Sequence, residues 1–147
     1  FHAYRMLNQL GDEELYNADP LVVSKNSKTE KITAIAYNYP EEYEQEVPSA
    51  AHAKDFMKAS SKTLDLTLTG LRPNAWFVLE TLDENHGYAY QEWCNMGKPH
   101  SPNRQQLDVL RQRAWDTLKE YVKADSNGVL VLKKQLSPWS CVLMSEQ

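Results

Sequence analysis

The fold is decided by a stretch in the middle of the chain, Lys62-Thr63-Leu64-Asp65-Leu66-Thr67-Leu68-Thr69. Its leucines stand at every second position and alternate with polar residues, which is the spacing of a β-strand with one buried face. The three leucines are therefore predicted to point into a core. A turn at 70–74 leads to a second apolar segment, 76–82, which we expect to run antiparallel to the first.

Segments of the same kind lie on both sides of this pair. Residues 21–24 and 31–39 are strand-like and enclose a polar turn, so they predict a hairpin. Further strands are predicted at 129–132 and 140–144, whereas the glutamate-rich residues 40–60 predict a solvated excursion. Each alternating strand needs an apolar layer over one face. The sequence therefore predicts a mainly β fold, an antiparallel β-sandwich.

Two helices complete the predicted architecture. Ser101 followed by Pro102 is typical of a helix start, and an apolar stripe predicts one amphipathic helix over about residues 101–122. The members of that stripe are Leu107, Leu110, Ala114, Leu118 and Tyr121. A second stripe predicts an N-terminal helical stub over residues 1–10, which ends before Gly11. Its members are Phe1, Tyr4, Leu7 and Leu10.

The composition limits the function. The chain has 147 residues, 41% hydrophobic and 24% charged, which fits one globular domain with its own core. Its net charge of -4 argues against a nucleic-acid partner, because phosphate binding requires clustered Lys and Arg. No apolar run approaches the roughly 20 residues that span a bilayer, so no membrane partner is predicted. Cys94 and Cys141 allow one disulfide at most, and two buried thiols are the favoured interpretation.

Chemistry-bearing side chains are concentrated in one segment, Leu82-Asp83-Glu84-Asn85-His86-Gly87-Tyr88-Ala89-Tyr90-Gln91-Glu92-Trp93-Cys94-Asn95-Met96-Gly97-Lys98-Pro99. Asp83, Glu84 and His86 are suitable types for a metal site or an acid–base group, but no third ligand can be identified. We therefore favour a structural role, in which Asp83 or His86 bonds backbone groups of an irregular loop. No metal site and no cofactor are predicted.

The aromatic side chains allow two interpretations. Rings can stack on the faces of sugars, as in a carbohydrate-binding module, or they can pack in a core or at a domain interface. Trp76 and Trp115 lie in a predicted strand and a predicted helix, which favours the core or an interface. The candidate carbohydrate or interface contacts are Tyr88, Tyr90, Trp93, Trp139 and His86.

No catalytic residue is predicted. Four acids crowd into one polar loop, where they would lack the burial that raises the pKa of one carboxyl for acid catalysis. They are Glu41, Glu42, Glu44 and Glu46. Residues 125–128 are similar to a calcium loop but lack the glutamate that completes it. Cys94 with His86 or His100 lacks the context of a nucleophilic pair.

Four pieces of the sequence, in the same order, resemble glycoside hydrolase family 39, the family of β-xylosidases and α-L-iduronidases. The opening Phe1-His2-Ala3-Tyr4-Arg5-Met6-Leu7-Asn8-Gln9-Leu10-Gly11 is similar to the last helix of the family's catalytic barrel, and Ala34-Ile35-Ala36-Tyr37-Asn38-Tyr39-Pro40 to its first sandwich hairpin. The third piece runs from Asp83 and His86 to Trp93, Met96-Gly97 and Pro99. The fourth, Leu136-Ser137-Pro138-Trp139-Ser140-Cys141-Val142-Leu143, is similar to the closing strand.

This resemblance implies an accessory role. Family members are retaining glycosidases with two catalytic glutamates on a (β/α)8 barrel, one of them in an Asn-Glu-Pro-like motif. This chain contains neither that motif nor the barrel, so no catalytic residue is transferred and the chain alone is expected to be inactive. The resemblance implies that residues 1–11 are the remnant of the last barrel helix and that 12–147 form the accessory β-sandwich. The parent would hydrolyse O-glycosidic bonds as a xylosidase-like enzyme, with its barrel as the partner of this domain.

Two surfaces are expected to lie bare without that barrel. The first helix should expose Phe1, Tyr4 or Leu7. In addition, strands from before the barrel often complete the family's sandwich, so one strand edge should be unpaired. Either surface favours homo-oligomerisation, which sedimentation would detect. The rival function is a free-standing carbohydrate-binding module, which affinity electrophoresis on xylan would detect.

Overall fold

The computed structural model describes residues 2–40 and 60–147. The described elements, in chain order, are α1 (His2–Leu7), β1 (Glu13–Ala18), β2 (Leu21–Lys25), β3 (Ile32–Tyr37), β4 (Lys62–Leu68), β5 (Trp76–Leu82), α2 (Tyr90–Asn95), α3 (Arg104–Trp115), β6 (Leu118–Lys123), β7 (Leu130–Leu136) and β8 (Cys141–Glu146). Phe1 and residues 41–59, which include the four glutamates of the predicted solvated segment, lie outside the described residues.

The described strands form an antiparallel β-sandwich, as predicted. Six of them make one sheet in the order β1-β2-β3-β8-β5-β6, and β4 and β7 make a second, two-stranded sheet. The main core lies between the two sheets, because alternate residues of each strand point towards the other sheet. Its largest contributors are Phe77, Leu79, Leu136, Leu64 and Met144.

The predicted strand pairs are partly correct. The hairpin of β2 and β3 is confirmed, with Val23 opposite Ala34. The predicted pairing of β4 with β5 is wrong, because the turn at 70–74 carries the chain from one sheet to the other. β4 pairs instead with β7, which has the same alternation of leucines and sets Leu66 opposite Leu132. β5 buries Phe77, Leu79 and Thr81 on the face towards the main core and has a hydrogen-bonded neighbour on each side, β8 and β6.

The predicted helix over 101–122 is wrong at both ends. The helix begins after Asn103, whose side chain accepts from the N–H of Gln106 in a capping box, so Ser101 and Pro102 lie before it. It ends at Trp115, and Leu118–Lys123 forms β6. The helical spacing of Leu118 and Tyr121 is coincidental, because on β6 they point to opposite faces of the sheet. Pairing with β5 outweighs the local pattern.

The first helix is shorter than the predicted stub. α1 ends at Leu7, and residues 8–10 continue as turns, with the N–H of Leu10 donating to the carbonyl of Leu7 at 3.2 Å. Two elements have no counterpart in the prediction, β1 and α2. β1 is exposed at all six of its positions and α2 has no buried residue, so neither has the apolar periodicity that predicts an element.

A close backbone approach explains one glycine. The chain turns at 125–128, where Asp125 accepts from the N–H groups of Asn127 and Val129. Gly128 has a φ of 72°, and a Cβ there would lie 2.1 Å from the carbonyl oxygen of Leu71. The turn therefore packs against the β4–β5 connection in a way that only glycine permits.

Residues 83–117, named the excursion from here on, leave the six-stranded sheet between two strands that are hydrogen-bonded neighbours. β5 enters it and β6 returns from it, with Thr81 opposite Leu118. α2 and α3 both lie in the excursion, and neither has a buried residue. The N–H of Gly87 donates to the carbonyl of Asp116 at 2.8 Å and closes its base. The excursion therefore lies on the rim of the sandwich.

Candidate domain interface

α1 lies on the face of the six-stranded sheet that is turned away from β4 and β7, named the outer face from here on. Met6 is fully buried there and forms a second small core with Ile35, Cys141 and Leu143. These partners belong to β3 and β8, so α1 covers the middle strands of the sheet. The centre of the outer face is therefore apolar and is covered by α1.

A partly buried ion pair fixes α1 to the sheet. Arg5 donates from both terminal nitrogens to Glu80, with N–O distances of 2.7 and 3.1 Å. The hydroxyl of Thr117 donates to the same carboxylate at 2.6 Å. Glu80 belongs to β5 and Thr117 to the end of the excursion, so one carboxylate joins three parts of the fold.

Hydrogen bonding holds the pKa of Glu80 down. Burial of this carboxyl would raise its pKa, but the hydrogen bonds from Arg5 and Thr117 outweigh that cost, and the pKa lies below its ordinary value. Glu80 is 8% exposed and stays ionised at neutral pH. The sequence carried a signal of this site that our predictions missed, because Glu80 is the single charged residue of β5.

His2 extends the same network to the excursion. Its Nε2 donates to the carbonyl of Ala114, and its Nδ1 accepts from Arg5 at 3.3 Å, which assigns the proton to Nε2. Its ring meets that of Trp115 edge-on, with centroids 5.1 Å apart. His2 is 8% exposed, so α1 buries a histidine and a methionine against the rest of the chain.

The opposite side of α1 is apolar and bare. Tyr4 is 76% exposed and Leu7 is 49% exposed, which confirms the prediction for these two residues, while Phe1 lies outside the described ones. Trp76 on β5 and Tyr121 on β6 also point from the outer face and are 50% and 66% exposed. Trp115 stands beside α1 and is half-exposed. The tryptophans predicted for a core or an interface are thus not in the core of this chain.

The acidic loop at the start of the excursion is braced as predicted. One carboxylate oxygen of Asp83 accepts from the N–H groups of Asn85 and His86, at 2.8 and 2.9 Å. The same oxygen lies 2.9 Å from Nδ1 of His86. These contacts use both side chains to hold a tight turn, in which the N–H of His86 also reaches the carbonyl of Asp83 at 3.3 Å.

Asp83→Ala should therefore lower the free energy of unfolding by about 2 kcal/mol, because it removes a charged acceptor of three hydrogen bonds. His86→Ala should cost about 1 kcal/mol or less, since the two backbone bonds to Asp83 survive. Urea denaturation of both variants measures the order of the two effects, and elemental analysis should find the metal content unchanged. An equal cost for the two variants, or stoichiometric metal lost with either, would contradict a structural brace.

The aromatic candidates of the excursion pack on one another. Tyr88 and Tyr90 are stacked with centroids 5.9 Å apart and planes 28° apart, and Trp93 lies 5.7 Å from Tyr90. The indole N–H of Trp93 donates to the carbonyl of Pro99 at 3.1 Å. Burial, followed by the nearby Tyr90 and Cys94, raises the pKa of Tyr88. The rings thus pack on one another, and Tyr88 stays 40% exposed.

Trp139 and the cysteines lie elsewhere. Trp139 packs edge-on against Tyr39, with centroids 4.9 Å apart, before β8 begins. Both cysteines are free thiols, but only Cys141 is buried, so the prediction of two buried thiols is wrong for Cys94. Burial raises the pKa of Cys141 to about 11, and its sulfur lies 3.4 Å from that of Met6.

The buried acids of the described residues serve the fold. Glu80 points from the outer face, whereas Glu146 points into the main core, where it bonds Arg72 at 2.7 Å and the N–H of Ile32. Two carboxylates on opposite faces of a sheet cannot flank one glycosidic bond. Over the described ranges, no group of three or more His, Cys, Asp or Glu side chains is placed to hold a metal ion. Among those residues, no helix is long and apolar enough to cross a membrane.

Comparison with known proteins shows the family of this chain. Residues 1–129 match the family model described as "Glycosyl hydrolases family 39". The chain belongs to glycoside hydrolase family 39. A curated β-xylosidase from Geobacillus stearothermophilus is 26% identical over 137 residues, which are 93% of this chain and 24% of that relative. The chain therefore spans about a quarter of the length of this family 39 relative.

Solved family 39 structures share the fold over nearly the whole chain. The enzyme from Xanthomonas axonopodis pv. citri has a TM-score of 0.74 at 15% identity, over 99% of this chain and 29% of its own. A monomeric β-xylosidase from Caulobacter crescentus CB15 has a TM-score of 0.66 at 18% identity, over 98% and 30%. The bacterial orthologue of human α-L-iduronidase has a TM-score of 0.64 at 15% identity, over 96% and 25%.

Proposed function

We propose that this chain is the non-catalytic accessory domain of a family 39 glycosidase, and that it buttresses the catalytic (β/α)8 barrel. In this proposal residues 12–147 are the accessory sandwich and residues 1–11 end the last helix of the barrel. The parent is a retaining, xylosidase-like hydrolase of O-glycosidic bonds. Its catalytic glutamates lie on the barrel, and this domain supplies packing rather than chemistry.

The orientation of α1 carries the proposal. A helix on the surface of a self-contained domain would turn its apolar side inward and its polar side to water. α1 instead buries His2 and Met6, bonds Glu80 through Arg5, and leaves Tyr4 and Leu7 outside. Such a helix is suited to a second apolar neighbour on its far side, as a barrel helix is between its barrel and an attached domain.

The two-stranded sheet supports the same proposal. β4 and β7 cover a six-stranded sheet, and within the described part of the chain β4 pairs on one side only. An open groove beside its free edge is lined by apolar side chains that include Leu15, Leu21 and Leu68. A strand from elsewhere in the parent would extend the small sheet here and cover this groove.

A carbohydrate-binding module is the alternative function. The arrangement of Tyr88, Tyr90 and Trp93 does not favour it, because the successive rings are inclined by 28° and 40° and so do not form one flat platform for a sugar. Affinity electrophoresis on xylan separates the two functions. An unretarded chain is expected for a buttress, whereas retardation that is lost on Tyr88→Ala would favour sugar binding.

Leu7→Glu tests the buttress directly. In the 147-residue chain this half-exposed position should tolerate the charge within about 0.5 kcal/mol. In the full-length enzyme the same change should cost about 2–4 kcal/mol and lower the Tm, because the barrel would bury the carboxylate. Thermal unfolding of both proteins, with hydrolysis of an aryl β-xyloside as the activity readout, measures the difference.

Val131→Glu is the matched control. Val131 is apolar, 61% exposed and carried by the two-stranded sheet, away from α1. It should be tolerated in both proteins. If Leu7→Glu were as harmless as Val131→Glu in the full-length enzyme, the side of α1 that bears Tyr4 and Leu7 would not face the barrel, and the buttress would be contradicted.

A further inference from the structure

Half of the outer face has no covering layer in the described structure. Six strands spaced about 4.8 Å apart make a sheet roughly 24 Å wide, whereas one helix with its side chains is about 10 Å across. α1 lies over β3, β8 and the inner edge of β5. The strip of the outer face over β5 and β6 is not covered by α1. Its surface is therefore lower than the outer side of α1 by about one helix diameter.

This strip, named the step from here on, has an apolar floor and a basic rim. Its floor is formed by Val78 and Tyr121, which lie opposite each other on β5 and β6, and by Trp76, two positions before Val78 on β5. Its charged side chains are Arg5, Lys119 and Lys123 against the single carboxylate of Glu80, a sum of +3 and -1, which is +2. The whole chain carries -4, so the step is opposite in sign to the rest of the molecule.

The basic groups lie around the apolar floor of the step. Glu80 is bonded to Arg5 and Thr117 and also attracts Lys119, its partner on β6, so one carboxylate faces three basic side chains. Lys123 lies with its Nζ 5.5 Å from the centre of the Trp76 ring, which fixes its charge over the floor. Lys119 and Tyr121 line an open groove of about 310 Å³, which is also lined by Arg5 of α1 and by Gln9 in the turn that follows α1.

We propose that the step seats a second helix, from the parent enzyme, which runs beside α1 and carries Asp or Glu on the flank that faces Lys119 and Lys123. A helix continues the layer that α1 begins, and its apolar stripe would cover Trp76 and Tyr121. The acidic flank follows from charge complementarity with the basic rim. This inference rests on the proposed buttress and adds the chemistry of the segment that contacts it.

Lysine labelling tests the seat. Acetylation with an N-hydroxysuccinimide ester, read by mass spectrometry, should modify Lys119 and Lys123 in the 147-residue chain. In the full-length enzyme both lysines should lose most of their reactivity, whereas Lys133, 72% exposed on the small sheet, should keep it. Equal labelling of Lys119 and Lys123 in the two proteins would overturn the proposal.

A zero-length carbodiimide cross-link identifies the occupant. In the full-length enzyme it should join Lys119 or Lys123 to an Asp or Glu of a segment outside these 147 residues, with that acid and its apolar neighbours at helical spacing. Cross-links confined to the 147 residues, or to a second copy of them, would overturn the proposal. Should Leu7→Glu destabilise the full-length enzyme while Lys119 stays reactive, the buttress would stand and the acidic helix would fall.

Discussion

Phe77→Ala is expected to lower the free energy of unfolding by about 3–5 kcal/mol, a large part of the roughly 5–15 kcal/mol available to a domain. Phe77 is fully buried and is among the largest side chains between the two sheets. It belongs to β5, which has a strand on each side, so neighbouring backbone has little freedom to close the cavity. Urea denaturation of the 147-residue chain measures the loss.

The adjacent residue provides the control. Trp76 belongs to the same strand but points from the outer face and is 50% exposed. Trp76→Ala should cost about 1 kcal/mol in the isolated chain, since it removes half-exposed surface and one contact with Lys123. Similar losses for the two variants would contradict the assignment of Phe77 to the core and of Trp76 to the surface.

Arg5→Met is expected to cost about 3 kcal/mol, because it leaves the carboxylate of Glu80 buried with Thr117 as its remaining side-chain donor. The double variant with Arg5→Met and Glu80→Leu should recover most of that loss, since exchange of a buried ion pair for apolar side chains is often close to neutral. Chemical denaturation of the two single variants and the double variant gives the three free energies of unfolding that a double-mutant cycle compares with the wild type. Additive losses would contradict a coupled pair.

The same pair predicts a pH dependence. The folded-state pKa of Glu80 lies below its unfolded value, so the pair stabilises the fold above the unfolded value of about 4.3 and loses its contribution as the pH falls through the folded-state pKa. The gap in Tm between the wild type and Arg5→Met should therefore narrow as the pH falls below about 4. A gap that stays constant as the pH falls further below about 4 would assign the cost of Arg5→Met to lost packing.

The sequence predicted the strands better than their partners. The alternating leucines at 64, 66 and 68 are a local property of β4, and the structure buries the first two as expected. Which strand pairs with β4 depends on the distant β7, whose leucines match it in register. Likewise, Leu118 and Tyr121 continue a helical stripe by their spacing, and only their pairing with β5 makes them a strand.

The candidate site was predictable where a residue bonds to residues close to it in the sequence. Asp83 and His86 brace a turn as expected, because their hydrogen bonds span two or three residues. The bond between Arg5 and Glu80 spans 75 positions, so no local pattern contains it. The exposure of Tyr4 and Leu7 was expected from the likeness of α1 to a barrel helix, which local periodicity alone would have assigned to a core.

The base of the excursion has a consequence for the evolution of the family. Its two ends lie side by side, because the last residues of β5 pair with the first residues of β6 and Gly87 bonds Asp116. The entropy cost of closing a loop grows slowly with its length. Insertions and deletions between these fixed ends would thus leave the register of the sheet unchanged. We expect homologous enzymes to differ most in length within residues 83–117, because insertions there leave the pairing of β5 with β6 intact.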